Sequence, residues 1–371
     1  MDIPVFCTGG APVPTRDPQR RLAVLLSGGV DSSTAALLLA REGWDLIGAT
    51  MRLPGAAPET ERDAAEVARV LGIPHLVLDL TDVFTHHVLD AFRADYAAGR
   101  TPNPCCVCNR LVKFGAVWDC LDGYAGARHL ATGHYVTVRA HGDRALLVRD
   151  PDNAKDQTYF IYGIPAARLP FFHAPLAGRT KDEVRALARE AGLPVAERPE
   201  SMERCFAGGG DYRSGLGQSA ADCPGPIRDT SGRVLGMHRG IRFYTVGQRR
   251  GLGVASAHPL YVVRLDVADN AVVLAPREEA LRRELEAVLL AEHLREHLVA
   301  GSCLAGKIRS YTAPAPLCIA VRNGANVTVT FREPVFAPTP GQHLVLYTTD
   351  ETGCAAGSGC VAGGGSIERT W

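Results

Sequence analysis

The stretch RLAVLLSGGVDSSTAALLLAR, residues 21–41, decides the fold of the amino-terminal half. Residues 22–26 are an apolar run of strand length, residues 27–33 are rich in glycine and serine, and residues 34–41 are an apolar run of helix length. A buried strand that enters a helix through a tight turn is typical of an α/β domain with a parallel sheet.

The same alternation continues along the chain. We expect further strands at residues 45–50, 75–80 and 128–132, and helices at residues 59–71, 82–98 and 181–191. Gly72 and Pro74 supply a helix stop, and Thr180 with Glu183 forms the pattern of a capping box. The alternation predicts a parallel-sheet catalytic domain over residues 21–210, with helices on both faces.

The second half of the chain has a different pattern. Short β-rich runs separated by Gly, Pro and Asp turns predict a central β-rich domain over residues 211–285 and a C-terminal β-barrel domain over residues 286–371. In that barrel we expect strands at 303–308, 317–321, 327–331 and 343–347, followed by a mobile Gly-rich hairpin loop at 353–365. Residues 1–20 are proline-rich and are expected to form a disordered or loosely docked arm.

Composition sets broad limits on function. The chain has 371 residues, of which 46% are hydrophobic and 22% charged, and it contains no apolar run long enough for a transmembrane helix. The first residues lack a secretory apolar stretch, so the sequence predicts a cytoplasmic protein in which eleven cysteines do not form a disulfide scaffold. Because 40 basic residues balance 40 acidic ones, nucleic-acid binding would need a local basic face.

The turn at Ser27–Ser33 has the chemistry of a phosphate site. Glycines let the backbone approach a phosphate, serine hydroxyls add donors, and a helix N-terminus presents unpaired N–H groups. It lacks the Gly-Lys-Ser/Thr ending of a Walker A loop. It resembles the SGGxDS loop of the ATP pyrophosphatases, and the resemblance implies binding of ATP with Mg²⁺ and transfer of AMP to a substrate oxygen. The alternative is a plain strand–turn–helix with serine caps.

A cysteine-rich segment, TPNPCCVCN at residues 101–109, is the second motif. Its prolines and asparagine predict a rigid, non-helical loop. Cys105 and Cys108 have a spacing that lets two thiolates share one metal, and Cys205 is the candidate for a further ligand. Cys106 is interpreted as a packing residue. Seven further cysteines match no motif and are expected to be buried small hydrophobes: Cys7, Cys120, Cys223, Cys303, Cys318, Cys354 and Cys360.

Eight motifs occur together in a fixed order. They are SGGVDSS (27–33), TPNPCCVCN (101–109), ATGHY (131–135), DNAKDQTYF (152–160), TKDEVR (180–185), Cys205-Phe206, GMHRGIRFYTVGQRRGLG (236–253) and TPGQ (339–342). In these motifs the chain resembles the bacterial tRNA-specific 2-thiouridylases, the MnmA family, from about residue 21 to its end. The resemblance implies ATP-dependent adenylation of the C2 oxygen of a wobble uridine, followed by its replacement with sulfur. It makes Cys108 and Cys205 the first and second catalytic cysteines and gives Asp31 a catalytic role.

The source of the sulfur stays open. Many members of the family have Asp at the position of Cys105 and use two cysteines; here three are present. Three thiolates suit a [4Fe-4S] cluster with an open iron that holds sulfide. The other route is a Cys205 persulfide, charged by an upstream persulfide donor protein, that leaves a Cys108–Cys205 disulfide after transfer.

The resemblance also assigns binding residues. For ATP they are Leu26, Ser27, Gly28, Gly29, Val30, Asp31, Ser32, Ser33, Met51 and Gly133. For the tRNA anticodon loop they are Asn103, Pro104, Cys105, His134, Lys155, Asp156, Gln157, Arg309, Ser310 and Gln342. From the residues alone, Met51 is as well explained as core filler and 155–157 as a polar turn. Arg239, Arg242, Arg249 and Arg250, close to Phe243 and Tyr244, favour RNA contact, with a solvated β face as the alternative.

Two rival functions use only part of these features. A ligase of the ATP pyrophosphatase type that adenylates a small molecule needs the turn at 27–33 but gives the cysteines no role. A non-catalytic iron–sulfur or zinc module that binds RNA explains the cysteines but leaves the turn unexplained. A tRNA sulfurtransferase uses both.

Overall fold

The computed structural model describes residues 2–8, 17–153, 155–198, 223–349 and 359–371. Contacts divide these residues into two compact units. The first takes in the described residues up to His87, those from Val107 to Arg198, and 359–360. The second takes in Val88–Cys106, residues 223–349 and Val361–Trp371. Cys205 lies outside the described residues.

The first unit is built on a six-stranded sheet with the strand order β1-β4-β3-β2-β5-β8. Every pairing is parallel except that of β1 with β4. The predicted α/β class with a parallel sheet is therefore confirmed. The strands are β1 (Val5–Cys7), β2 (Arg21–Leu25), β3 (Asp45–Arg52), β4 (His75–Asp79), β5 (His129–Ala131) and β8 (Phe172–His173), while β6 (Thr137–His141) and β7 (Arg144–Val148) form a separate hairpin.

Strand β2 lies in the middle of this sheet and is buried along its whole length. A continuous apolar run is the pattern of a parallel strand covered on both faces. Its first residue, Arg21, is also buried, and its guanidinium pairs with the Asp45 carboxylate at 2.6 Å. The buried strand fixes the start of the glycine turn that follows it.

The helices confirm most of the expected boundaries. The predicted helix stop at Gly72 is present in a left-handed conformation, and the predicted capping box of Thr180 and Glu183 is formed. No helix among the described residues is long and apolar enough to cross a membrane. The helices are α1 (Val30–Arg41), α2 (Pro58–Leu71), α3 (Thr81–Phe84), a π-type segment (Thr85–Leu89), α4 (Asp90–Ala97), α5 (Pro104–Val107), a second π-type segment (Cys108–Val117), α6 (Trp118–Ala125), α7 (Thr158–Ile161) and α8 (Lys181–Glu190).

The expectation of a non-helical loop through 101–109 was wrong from Pro104 onward. Pro104 begins helix α5, which continues into the π-type segment from Cys108. Proline is tolerated in the first turn of a helix, where its missing N–H would be unpaired anyway. The Asn103 side chain accepts a hydrogen bond from the Cys106 N–H at 3.3 Å and so caps this helix.

The N-terminal arm is docked in part. Residues Val5–Cys7 form β1, which pairs with β4 at the edge of the sheet. The expected disorder is therefore not found at these three residues. An edge strand offers unpaired backbone groups, and a short extended segment can satisfy them.

The second unit contains two β structures. The central one is a four-stranded sheet with the order β10-β9-β12-β11, and the other is a closed six-stranded barrel. The predicted β-rich central domain and C-terminal barrel are thus confirmed as folds. The strands are β9 (Gly225–Asp229), β10 (Val234–His238), β11 (Tyr261–Asp266), β12 (Ala271–Ala275), β13 (Leu281–Glu292), β14 (Cys303–Lys307), β15 (Ala315–Asn323), β16 (Asn326–Phe336), β17 (His343–Tyr347) and β18 (Val361–Thr370).

The glycines at 363–365 are not part of a loop. They lie inside β18, which pairs with both β13 and β17. A Cβ on Gly365 would meet the Val288 carbonyl oxygen at 1.9 Å. Glycine is needed there because the two backbones approach closely, and the assignment of residues 361–365 to a mobile hairpin was wrong.

Candidate active site

The turn between β2 and α1 has the geometry that its glycines predict. Gly28 has a φ of +66°, and a Cβ there would meet the Thr60 carbonyl oxygen at 2.8 Å. Its own carbonyl oxygen accepts a hydrogen bond from Arg198 at 3.1 Å, and Arg198 pairs with Asp63. Gly28 is therefore held from two sides, and any side chain at this position would move the turn.

The serines of the turn form a compact network. The Ser32 hydroxyl accepts from the Ser27 N–H at 3.1 Å, lies 3.1 Å from the Ser27 hydroxyl, and donates to the Gly29 carbonyl oxygen. Ser33 donates its hydroxyl to the same Gly29 oxygen at 2.9 Å. These bonds hold the turn in one shape around the N-terminus of α1.

Asp31 is the most constrained side chain of the turn. The Lys181 ammonium lies 2.6 Å and 2.8 Å from its two carboxylate oxygens. The Tyr135 hydroxyl donates to the same carboxylate at 2.7 Å. Lys181 is the first residue of α8 and Tyr135 follows β5, so separate elements converge on one acidic group.

Met51 and Gly133, which the family resemblance assigns to ATP binding, lie at the carboxyl ends of strands in the sheet. Met51 is half-buried near the end of β3, and Gly133 follows β5. A Cβ on Gly133 would meet the Ser32 backbone nitrogen at 2.7 Å, so its glycine lets the two backbones come together. Ligands of open α/β sheets bind at this edge.

Two of the three cysteines of the predicted site, Cys105 and Cys108, lie among the described residues. Cys105 is half-buried and Cys108 is buried, and both lie on the helix that begins at Pro104. Residues three apart on a helix share a face, so the helical conformation keeps the two thiols on one side. Cys106 is buried, as expected of a packing residue, and burial raises the pKa of its thiol well above its usual value.

The segment that leads into these cysteines is held by the TPGQ motif. Gln342 donates its side-chain amide to the Thr101 carbonyl oxygen at 2.8 Å and to that of Pro102 at 3.4 Å. The Thr101 N–H donates to the Pro340 carbonyl oxygen at 2.9 Å. In the free protein, the side-chain amide of Gln342 therefore holds the backbone of residues 101–102 in place.

The polar residues at 155–157 have different surroundings. Lys155 is exposed. Asp156 accepts hydrogen bonds from the Thr158 hydroxyl at 2.6 Å and from the Asp150 N–H at 3.2 Å, as a turn residue does. Gln157 accepts from the Tyr135 N–H at 3.0 Å, which ties this segment to the Asp31 neighbourhood.

His134 is neutral near pH 7. Its pKa is lowered to about 3, first by burial and then by the charge of Lys113. Its Nδ1 lies 2.7 Å from the Thr132 hydroxyl. A neutral imidazole can exchange hydrogen bonds with a base or ribose but does not act as a cation toward a phosphate.

The Arg309 guanidinium forms hydrogen bonds within the protein. Its guanidinium donates to the carbonyl oxygens of Val246 and Ala337 and to the Thr339 hydroxyl, at 2.7–2.9 Å. It also donates to the Tyr311 hydroxyl at 2.9 Å, and the Tyr311 ring is 76% exposed. Tyr311 is thus an exposed aromatic residue in contact with Arg309. Ser310, which lies between Arg309 and Tyr311 in the sequence, is half-buried.

The basic segment at 239–250 is only partly available to a ligand. Arg239, Arg249 and Arg250 are exposed, but Arg242 is buried together with Tyr244. Arg239 lies over the Phe243 ring, with its guanidinium carbon 4.7 Å from the ring centroid. Three of the four arginines are therefore exposed to solvent, whereas Arg242 is not, and RNA contact by this segment stays a prediction.

Two residues beside Asp31 were not identified as site residues from the sequence. Lys181 and Tyr135 belong to the motifs TKDEVR and ATGHY, but no spacing rule links either of them to residue 31. A lysine at the first position of a capped helix was the available signal, because the positive N-terminal end of a helix disfavours a cation there unless it has a partner.

The unassigned cysteines differ from the expected buried set. Cys120 is half-buried, whereas Cys7, Cys223, Cys303 and Cys318 are exposed. Cys360 is fully buried and disulfide-bonded. Cys354 also lies outside them.

The fold and the turn are those of an α/β protein of the ATP-utilising class with an SGGxDS loop after a central strand. The family described as tRNA methyl transferase HUP domain matches residues 20–209. Two further family descriptions follow along the chain, a tRNA methyl transferase PRC-barrel domain at residues 214–276 and an aminomethyltransferase beta-barrel domain at residues 297–365.

Curated relatives match nearly the whole chain. A tRNA-specific 2-thiouridylase MnmA 1 of Syntrophus aciditrophicus is 43% identical, over 95% of this chain and 93% of the relative. Proteins named tRNA-specific 2-thiouridylase MnmA are 41% identical in Xanthobacter autotrophicus, over 99% and 96%, and 42% identical in a Synechococcus strain, over 96% of each. The chain belongs to the tRNA-specific 2-thiouridylase family.

Proposed function

We propose that this protein adenylates the C2 oxygen of a tRNA wobble uridine with ATP and replaces that oxygen by sulfur. The observation that carries the proposal is the ordered SGGVDSS turn, with Asp31 fixed by Lys181 and Tyr135, in a chain of the 2-thiouridylase family. The family descriptions mention methyl transfer, but a serine- and glycine-rich turn at a helix N-terminus suits the phosphates of ATP.

The first step uses the turn as a phosphate cradle. The uridine C2 oxygen attacks the α-phosphorus, pyrophosphate leaves, and the base carries AMP. The backbone N–H groups of the turn bind the phosphate oxygens as charge moves onto pyrophosphate, and the hydroxyls of Ser27, Ser32 and Ser33 join them by exchanging their contacts within the turn. Mg²⁺ would offset the charge of the ATP phosphates, and the Asp31 carboxylate could hold it once Asp31 had released Lys181.

The second step transfers sulfur through cysteines. The terminal sulfur of a persulfide on Cys205 attacks C2 of the adenylated uridine, and AMP leaves. The Cys108 thiolate then attacks the Cys205 sulfur, which breaks the persulfide bond, leaves sulfur on C2 and forms a Cys108–Cys205 disulfide. A reductant must reopen that disulfide before the next turnover.

A [4Fe-4S] cluster is the alternative sulfur source. Cys105 and Cys108 share a helix face and are suitable thiolate ligands. Among the described residues, however, no three metal-ligating side chains come together, and Cys205 is not among those residues. Two thiols do not complete the three-cysteine site, so we derive no step through a cluster.

The partners follow from the reaction. The substrate is the anticodon loop of a tRNA, whose wobble uridine must be unstacked to expose C2. We further propose that a separate protein supplies the persulfide, that the reaction takes place in the cytoplasm, and that the domains divide at residues 21–210, 211–285 and 286–371.

Pyrophosphate release tests the proposal directly. Purified protein, ATP and unmodified tRNA should release pyrophosphate, and nucleoside mass spectrometry should detect 2-thiouridine once a sulfur donor is added. Release that depends on a small molecule rather than tRNA would assign the protein to the rival ligase class. No release with either substrate would leave only RNA binding and reject the proposed activity.

A further inference from the structure

Two exposed cysteines face each other on the C-terminal barrel. Cys303 on β14 is directly opposite Cys318 on the antiparallel strand β15. Both are exposed, while their neighbours Leu304, Leu317 and Ile319 point into the barrel and are buried. The two thiols therefore share the outer face, where side chains directly across a ladder interact most strongly.

The local geometry suits a bond between the sulfurs. The two Sγ atoms lie 3.0 Å apart. The adjacent pair is joined by a hydrogen bond from the Ile319 N–H to the Ser302 carbonyl oxygen at 3.0 Å, so Cys303 and Cys318 form a non-hydrogen-bonded pair. Such pairs have Cα separations of about 4.5 Å, within the range of roughly 4.4–6.8 Å that disulfides bridge.

Exposure argues against the ordinary role of cysteine. A cysteine without a catalytic function is usually a small buried hydrophobe. Here the buried positions of both strands are filled by aliphatic residues, and the cysteines contribute nothing to the barrel interior. The pair also matches none of the motifs that identify the 2-thiouridylase family.

We propose that Cys303 and Cys318 are a reversible oxidation site, which closes to a cross-strand disulfide in the presence of a low-molecular-weight disulfide such as oxidised glutathione. The inference does not depend on the proposed function, because it rests on the barrel alone.

The two thiols have different roles in the exchange. Either sulfur can be the donor in this contact, and the contact raises the pKa of the Cys318 thiol. We write the exchange with Cys303 as the attacking thiolate. It attacks one sulfur of oxidised glutathione, releases one glutathione and becomes a mixed disulfide. Cys318 then loses its proton and attacks the Cys303 sulfur, which releases the second glutathione. Two protein thiols are oxidised, and one glutathione disulfide is reduced to two thiols.

Trypsin makes the product easy to identify. Cleavage after Arg295, Lys307, Arg309 and Arg322 places Cys303 and Cys318 on separate peptides, 296–307 and 310–322, each with a single cysteine. After the full-length protein is incubated with excess oxidised glutathione and its free thiols are blocked, mass spectrometry should find these two peptides linked. Treatment with dithiothreitol before blocking should return both as alkylated single peptides.

Single variants separate the proposed pair from independent oxidation. In Cys318→Ser, Cys303 should keep glutathione as a stable mixed disulfide, and the linked peptides should be absent. Cys223→Ser, which removes another exposed cysteine, should leave the linked product unchanged. Separate glutathione adducts on Cys303 and Cys318 in the wild-type protein, a link between two protein molecules, or a product that dithiothreitol does not reverse would each overturn the proposal.

Discussion

The Lys181 ammonium forms an ion pair with the Asp31 carboxylate, although the two residues are 150 positions apart in the sequence. The Lys181 side chain is 16% exposed and that of Asp31 is 34% exposed, so solvent screens the pair only in part. The pair connects the first residue of α8 to the first turn of α1. The ion pair therefore ties the turn at Ser27–Ser33 to a helix that begins 150 residues after Asp31 in the sequence.

We predict that Lys181→Ala lowers the rate of tRNA-dependent pyrophosphate release. Loss of the ion pair lets Asp31 move, and small displacements at a reacting centre cost roughly 100-fold in rate. Lys181→Arg should recover part of the loss, because it restores a cation that can reach Asp31. Arg189→Ala is the matched control, since Arg189 lies on the same helix but pairs with Glu197. Equal losses in Lys181→Ala and Arg189→Ala would indicate general damage to α8.

We predict that Ser27→Ala and Asp31→Ala abolish AMP transfer while tRNA binding persists. Ser27 and Ser32 hold the turn together through their hydroxyls, and Asp31 joins it to Lys181 and Tyr135. The measurements are the yield of adenylated tRNA and the binding of labelled tRNA to the same preparations. AMP transfer at the wild-type rate in either variant would show that this turn is not the ATP site.

We predict that Cys105→Asp stays active if the persulfide route operates, because that route uses the sulfurs of Cys108 and Cys205 and not that of Cys105. If a cluster operates, the variant should lose both iron and 2-thiouridine formation. The measurements are iron and sulfide content after anaerobic purification, compared with nucleoside mass spectrometry. Cys106→Ser is the control for activity, since Cys106 is buried packing. Full activity of Cys105→Asp without iron would eliminate the three-cysteine cluster.

We predict that tRNA affinity falls with salt although the net charge is zero. If exposed Lys155, Arg239, Arg249 and Arg250 each neutralise one phosphate, log K should change with log salt at a slope of roughly −3 for single-strand-like contacts. Alanine at Arg249 and Arg250 should flatten that slope by about 1.4. Arg233→Ala is the control, because Arg233 is exposed but pairs with Asp229. An unchanged slope in the double variant would assign the arginines to a solvated face.

We predict that the free energy of unfolding falls as the pH drops from 6.5 toward 4, in part because of His75. Burial lowers the pKa of His75 from 6.5 to about 4, which corresponds to about 3–4 kcal/mol at roughly 1.4 kcal/mol per pKa unit. The unfolded chain takes up the proton first, so this stability is present above pH 6.5 and is lost as the pH falls.

Denaturant titrations at pH 7 and pH 4.5 measure this effect. His75→Gln keeps a neutral partner for Thr50 and should show a smaller loss between the two pH values than the wild type. The exposed His258→Gln should behave like the wild type. An equal loss in His75→Gln would exclude His75 as a contributor.

Local sequence was sufficient for the elements that depend on local chemistry. The turn at Ser27–Ser33, the helix stop at Gly72 and the capping box at Thr180 were all predicted, because glycine conformation and side-chain caps act over a few residues. The alternation of strands and helices likewise predicted the parallel sheet. Local rules failed at Pro104, where a proline in a cysteine-rich segment begins a helix instead of preventing one.

Contacts between distant residues could not be predicted in the same way. Nothing in the spacing of residues 31, 135 and 181 indicates that they meet, and Gln342 gave no signal that its amide would hold Thr101. The burial of Arg242 among exposed arginines was equally hidden, because burial depends on how the short 3-10 helix Ile241–Phe243 packs in the folded protein.

The sequence by itself determined the glycine- and serine-rich turn at Ser27–Ser33, the class of each domain and the membership of the family, because these follow from local conformation and from motif order. Only the tertiary structure decided which side chains fix Asp31, which arginines remain exposed, and that Cys303 and Cys318 face each other. Each of these depends on the strand register and helix packing that bring residues together across the chain, and a single sequence does not specify such pairings through local rules.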